Sequence, residues 1–303
     1  MPACSNCLER PLTGRIDFLI LGAEKSGTTW LADRLRRHPR IFIPAEKELF
    51  YFNAQFFESP ELPNFNAAQP LSWYLAFFEP AKPGQIKGEA SPAYLWDEAA
   101  PDRIAAFDPD LRLAAVLRDP VERAFSQYLY FIQRGLFAGL TFEGAIDRRP
   151  DLLTRGLYAR QVARYREHFP AERIRIGFFD DLKSDARRFL SDFQTYLGVP
   201  EHIPEDLETP ANVTGVPRFP WLNRAIAAVR YPLRKNNPAW LLRFLRRAGL
   251  ARLQERIRLL NTRPMETRPE IAPETRSRLK TYFRSDIETL QEMTGRDLSG
   301  WIK

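Results

Sequence analysis

Lys25, Ser26, Gly27, Thr28 and Thr29 concentrate more phosphate chemistry than any other run in the chain. They follow a short apolar run, Ile16–Leu21, and precede a stretch with helical spacing. A loop between a strand and a helix start turns backbone N–H groups and the positive helix end toward an anion. Gly27 lets the backbone approach closely, Thr28 and Thr29 add hydroxyl donors, and Lys25 adds a cation. A nucleotide-triphosphatase loop reads G-x-x-x-x-G-K-[ST], with Lys after the second Gly. Here Thr28 follows Gly27 and the Lys comes earlier, which weighs against ATP chemistry. No acid closes the later strand run directly either, because Arg118 stands between Leu117 and Asp119.

A second anion site is spaced for the same edge of the fold. Arg118 leaves a strand-like run, and Ser126 lies two turns into the helical pattern that Pro120 opens. Both can reach one phosphate, and the Arg fork makes bidentate, charge-assisted bonds to it.

Four β-type runs must carry these groups: Ile16–Leu21, Gln85–Glu89, Leu111–Leu117 and Arg173–Phe179. Helical spacing fills Thr28–Arg37, Pro120–Arg134, Tyr158–His168 and Asp185–Leu197, with Pro39, Pro170 and Gly198 as stops. Alternating β and α elements predict an α/β fold, one P-loop-like domain with a central parallel sheet flanked by helices on both faces. Ligands in such folds bind at the carboxyl ends of the strands. Residues 205–261 are rich in Pro and Arg and read as a helical cap on the same domain, and Pro273 with Glu274 opens a last helix to about Met293. The domain is expected over residues 15–303, with 1–14 as a disordered tail.

At 303 residues and 44% hydrophobic content the chain can bury a sizeable core. The net charge is +7, and only eight of the 45 basic residues are Lys. That balance suits anionic partners, yet no nucleic-acid reader motif accompanies it. No run is long and apolar enough to span a bilayer; the basic amphipathic segment Trp240–Arg247 leaves peripheral membrane contact open. Two cysteines, Cys4 and Cys7, make neither a disulfide framework nor a complete zinc site. With no apolar leader run, these features point to a cytoplasmic protein and to no bound metal.

The Lys25–Leu31 run, K-S-G-T-T-W-L, resembles the 5′-phosphosulfate loop of sulfotransferases that use 3′-phosphoadenosine 5′-phosphosulfate (PAPS). Arg118 to Tyr128 resembles that family's 3′-phosphate motif, R-x-P-x-x-R-x-x-S-x-Y. Weaker matches lie at Gly88–Tyr94, Gly156–Ala159 and Arg268–Ile271, and they resemble the heparan-sulfate-type branch, here as a bacterial member. The resemblance implies PAPS as donor and no metal, with an acceptor hydroxyl on a carbohydrate, a lipid or a secondary metabolite, carbohydrate being favoured. It implies that Lys25, Ser26, Gly27, Thr28, Thr29, Arg118, Ser126 and Tyr158 bind the donor, that Trp30 stacks on its adenine, and that Lys25 stabilises the leaving group.

The branch's base is the second Glu of E-K-E-[VIL]-x-[FYH]-F, which maps to Glu48. Leu49, Phe50, Tyr51 and Phe52 promise an apolar setting that raises the Glu48 pKa. None of His38, His168 and His202 falls in a stretch like the cytosolic branch's His motif, and each reads as surface or cap. Two departures stand out. Ala90 occupies the position of a second Lys, with Lys87 three residues away on the opposite strand face. Pro264-Met265-Glu266 replaces a C-terminal K-G-R, which leaves Arg263 or Arg268 to supply those contacts. Two competing readings are a kinase or NTPase using ATP and Mg²⁺, and a non-catalytic protein that binds nucleotide or anionic lipid.

Overall fold

A computed structural model describes residues 16–207 except 47, 56–63, 135 and 138, the segments 215–217 and 262–264, and residues 269–303. Its centre is a five-stranded parallel sheet: β1 (Phe18–Gly22), β2 (Ile41–Phe42), β3 (Ile86–Ala90), β4 (Arg112–Leu117) and β5 (Ile174–Phe178), in the order β2-β3-β1-β4-β5. The four expected strands fall within two residues of their predicted bounds. β2 was not anticipated; two residues are too few for an alternation to be read.

Successive side chains on a strand point to opposite faces, and both faces are covered. Leu19, Leu21, Leu113, Ala115 and Leu117 enter one apolar core, whereas Phe18, Ile20, Ala114 and Val116 enter another. Strands buried on both sides read as continuous apolar runs, which is how β1 and β4 appear in the sequence. Gly88 pairs with Phe18 across β3 and β1. A Cβ at 88 would lie 2.3 Å from the Phe18 ring, so only Gly fits.

Helices start where local chemistry caps them. Asp119 accepts from the N–H groups of Val121 (2.8 Å) and Glu122 (3.2 Å), and Pro120 takes the first turn of the helix Pro120–Gln133. The long helix Pro273–Thr294 buries Leu279, Phe283, Ile287 and Leu290 at helical spacing. Its Asp286 accepts from the N–H groups of Ala159 (3.0 Å) and Arg160 (3.2 Å), which secures the start of the helix Tyr158–Arg166.

The expected tail at 1–14, with Cys4 and Cys7, lies outside the described residues, as does most of the expected cap at 205–261. Within that region Gly215–Pro217 forms a strand rather than a helix, pairing antiparallel with Thr262–Pro264. No helix among the described residues is long and apolar enough to cross a membrane.

Candidate active site

Because the strands are parallel, the segments after β1, β2, β3, β4 and β5 emerge on one edge, and Lys25 to Thr29, Glu48 and Arg118 gather there. After β1 the chain passes through Lys25, in a left-handed conformation at φ 65°, to Gly27 at φ 93°, which caps the helix Thr28–Arg36. Gly27 is required twice over: its φ suits glycine, and a Cβ there would meet Leu182 at 2.9 Å. Thr28 is buried and Thr29 half-buried at the helix start.

Arg118 leaves β4 toward this loop. Its Nη1 donates to the Lys25 carbonyl at 3.3 Å, its Nη2 lies 3.6 Å from Glu122, and its guanidinium stacks 4.9 Å from the Phe179 ring centre. The loop and the second motif are therefore one unit. Ser126 is half-buried on the helix Pro120–Gln133, two turns from Asp119.

Lys25 stands at the centre of the charge. Burial lowers its pKa to about 8, the negative charges of Glu48 and Glu24 oppose that fall, and Arg118 and Arg134 add to it. Its Nζ sits 4.6 Å from the Tyr130 ring centre, and the Arg134 guanidinium lies 5.0 Å from the same centre. Three cations thus converge on one edge of the sheet. Such an arrangement is relieved by an anion between them, so a phosphosulfate group fits these residues.

Glu48 lines a shallow depression with Thr28, Thr29, Ala90 and Pro92. This brings the acid to the loop, and it puts Ala90 beside both. The expected apolar setting is corrected, however: Glu48 is exposed, whereas Leu49 and Phe52 turn into the core. Glu48 and Phe50 both have positive φ, at 60° and 50°, so consecutive side chains in this loop do not share a face.

Two further expectations change. Trp30 is 8% exposed, donates its indole N–H to the Leu207 carbonyl at 3.2 Å and meets Phe189 edge-on, so it packs behind the loop rather than presenting an open stacking face. Tyr158 is fully buried; its hydroxyl donates to the Arg118 carbonyl at 2.9 Å and lies against Ser26. It braces the two motifs from beneath and does not line open space. The Arg263 side chain and all of Arg268 lie outside the described residues.

The histidines take no part in this edge. His38 is buried rather than at the surface. Its Nδ1 accepts from the Arg40 N–H at 3.0 Å, so Nε2 carries the proton and donates to Pro200 at 2.8 Å. His202 rests against its ring, and His168 pairs with Asp102 at 2.8 Å.

Three groups escaped the sequence reading. Glu24 is buried, accepting from the Trp96 indole at 2.6 Å and pairing with Arg155 at 3.1 Å. Its place beside Lys25 was the available signal. Trp96, Arg155, Thr154, Gln55 and Gln161 line a cavity of about 280 Å³ on that side. Arg134 approaches Lys25 from far along the chain, with no local signal. Glu89 is a buried carboxyl that accepts from Tyr94 (2.6 Å), Tyr74 (3.0 Å) and Ser91 (3.2 Å). Burial pushes it up to about 7 in spite of those bonds.

A family described as the sulfotransferase domain matches residues 15–212. The chain is 28% identical over 291 residues to human heparan sulfate glucosamine 3-O-sulfotransferase 3B1, an alignment covering 93% of this chain and 64% of that relative. It is 33% identical over 130 residues to the membrane-associated sulfotransferase kil1 of Dictyostelium discoideum, covering 41% of this chain and 25% of the relative. It therefore spans less than two thirds of the length of these curated relatives. A solved structure, the sulfotransferase from Alicyclobacillus acidocaldarius, shares the fold with a TM-score of 0.68 at 24% identity, over 95% of this chain and 99% of that one.

Proposed function

The chain belongs to the sulfotransferase domain family, and from that premise we propose that it moves a sulfuryl group from PAPS to a carbohydrate hydroxyl by in-line displacement. The observation that carries this reading is the convergence of Lys25, Arg118 and Glu48 on one edge of the sheet, a cationic anion site with a carboxylate beside it.

Sulfuryl transfer, like phosphoryl transfer, passes through a loose in-line transition state, so the protein mainly positions groups and stabilises charge. The loop 25–29 holds the 5′ side of the donor, and Arg118 with Ser126 holds the 3′-phosphate. When bound, the donor supplies the electrophilic sulfur and a phosphate leaving group. Lys25 stabilises the charge that grows on the leaving oxygen. Glu48, exposed toward the acceptor side, takes the hydroxyl proton. Arg134 is the nearest candidate to share the leaving-group charge where Ala90 offers none.

The carbohydrate reading is supported by the named activity of the 3-O-sulfotransferase relatives. It is also supported by the cavity beside Glu24, where the amides of Gln55 and Gln161 and the guanidinium groups of Arg160 and Arg164 suit sugar hydroxyls. The test is transfer of label from ³⁵S-PAPS to a panel of oligosaccharides, with lipid and small-metabolite acceptors alongside and EDTA throughout. Label appearing in a sugar without metal supports the reading; phosphate transfer from ATP that requires Mg²⁺ overturns it.

A further inference from the structure

Glu89, at the end of β3, is 2% exposed and receives three hydrogen bonds, from the hydroxyls of Tyr94, Tyr74 and Ser91, and the backbone N–H of Leu49 faces the same carboxyl. Two of its donors hold the same loop in turn. Ser91 Oγ accepts from the Phe50 N–H at 3.2 Å, and Tyr94 Oη accepts from the N–H groups of Tyr51 at 3.0 Å and Phe52 at 3.5 Å. The N–H groups of three consecutive residues, Phe50 to Phe52, therefore end on a hydroxyl bonded to Glu89, and that of Leu49 before them faces the carboxyl itself.

The direction of these bonds matters. A hydroxyl has one proton to give. When Ser91 and Tyr94 give theirs to Glu89, their lone pairs face the loop and can receive its N–H groups. Without an acceptor at 89, each hydroxyl is free to turn its proton toward the loop, where it would meet an N–H. The loop also carries two non-glycine residues at positive φ, Glu48 and Phe50. Such conformations persist where the surroundings over-determine them, and these bonds do so.

We propose that Glu89 is a positioning residue of the transfer reaction: it orients the hydroxyls of Ser91 and Tyr94, which hold the 49–52 backbone and so keep Glu48 beside Lys25. The proposal rests on the reading of Glu48 as the base. The titratable groups facing Glu89 are Tyr74, from the helix Leu71–Leu75, and Tyr94, from the turn after β3, with Tyr51 stacked on Tyr74 at 4.5 Å. Burial raises Tyr74 and Tyr94 far above their ordinary value, so both remain donors. Glu89 itself is held above its ordinary value by burial, and closing the loop over it therefore favours the protonated carboxyl. That support is complete below about 4.5 and is lost as pH rises through about 7.

The test measures hydrogen exchange of the full chain in the peptide spanning residues 48–53, together with turnover and binding of adenosine 3′,5′-bisphosphate. Glu89→Ala should raise exchange at Leu49–Phe52 about tenfold or more while leaving β1 and β4 protected. It should lower kcat about tenfold with bisphosphate affinity within about twofold of wild type. Glu89→Gln keeps an accepting oxygen for both tyrosines and cannot ionise. It should recover part of both losses and show loop protection that no longer declines through pH 7. If Glu89→Ala fails to fold, Tyr94→Phe and Ser91→Ala read the same exchange. Wild-type exchange at 49–52 in the folded variants overturns the proposal, as does loosening spread evenly over the domain. If Glu89→Ala frees the loop while Glu48→Gln turns over at the wild-type rate, the anchoring stands and the reading of Glu48 fails.

Discussion

Burial lowers the Lys25 pKa to about 8, and of the charges that oppose this fall Glu48 acts most strongly. The two residues come from different loops, one after β1 and one after β2, and approach each other across β3, which lies between those two parallel strands. The cation proposed to stabilise the leaving group thus lies in the field of the carboxylate proposed to accept the proton.

The first prediction concerns pH. Lys25 is charged below about 8 and neutral above it. In the free enzyme kcat/KM should fall as pH rises through about 8, because the leaving group loses its cation. Lys25→Arg keeps the charge to far higher pH and should remove that limb at a lower overall rate. Lys25→Ala should depress kcat more than it weakens bisphosphate binding. A pH–rate profile with an unchanged alkaline limb in Lys25→Arg assigns the limb to another group.

Arg118 should matter for binding. Its loss removes a charged hydrogen bond to the 3′-phosphate worth roughly 1.5–3 kcal/mol, or about one to two decades of affinity. Calorimetry should find that wild type binds adenosine 3′,5′-bisphosphate far more tightly than 5′-AMP, and that Arg118→Ala narrows the gap. Equal wild-type affinities for the two ligands would remove the 3′-phosphate from this site.

Arg155 should matter for stability. It and Glu24 are both more than nine-tenths buried and lie 3.1 Å apart. Removing one partner of such a pair strands the other charge and costs about 3–5 kcal/mol. Arg155→Met should lower the denaturation midpoint accordingly, and Glu24→Gln added to it should restore part of the loss. Additive losses in the double variant would mean that the pair is not coupled.

Much of this was legible in the sequence. β4 was expected at Leu111–Leu117 and lies at Arg112–Leu117, because a strand buried on both faces leaves an unbroken apolar run. The Lys25 loop and Arg118 were legible because each motif is local, and the parallel sheet brings their ends to one edge. Glu48 is expected in an apolar setting but is exposed: four apolar neighbours in a loop say nothing about the direction of the carboxylate when φ changes sign at 48 and 50. Trp30 and Tyr158 read as ligand contacts because they sit in motifs, yet their burial depends on Leu207 and Arg118, which are distant in the chain. Glu89 is buried by groups from three separate segments, and no window of sequence contains them all.

Lys25 and Glu48 are proposed to carry a sulfuryl transfer that needs no metal. The most direct measurement is single-turnover transfer from ³⁵S-PAPS to the acceptor active with wild type, run in EDTA with Glu48→Gln beside it. Wild type should transfer label, and Glu48→Gln should be slower by two orders of magnitude or more, within the roughly 10²–10⁴-fold range of a positioned base, with bisphosphate affinity nearly unchanged. Label moving at the wild-type rate in Glu48→Gln, or no label moving from PAPS in wild type with any acceptor, would contradict it.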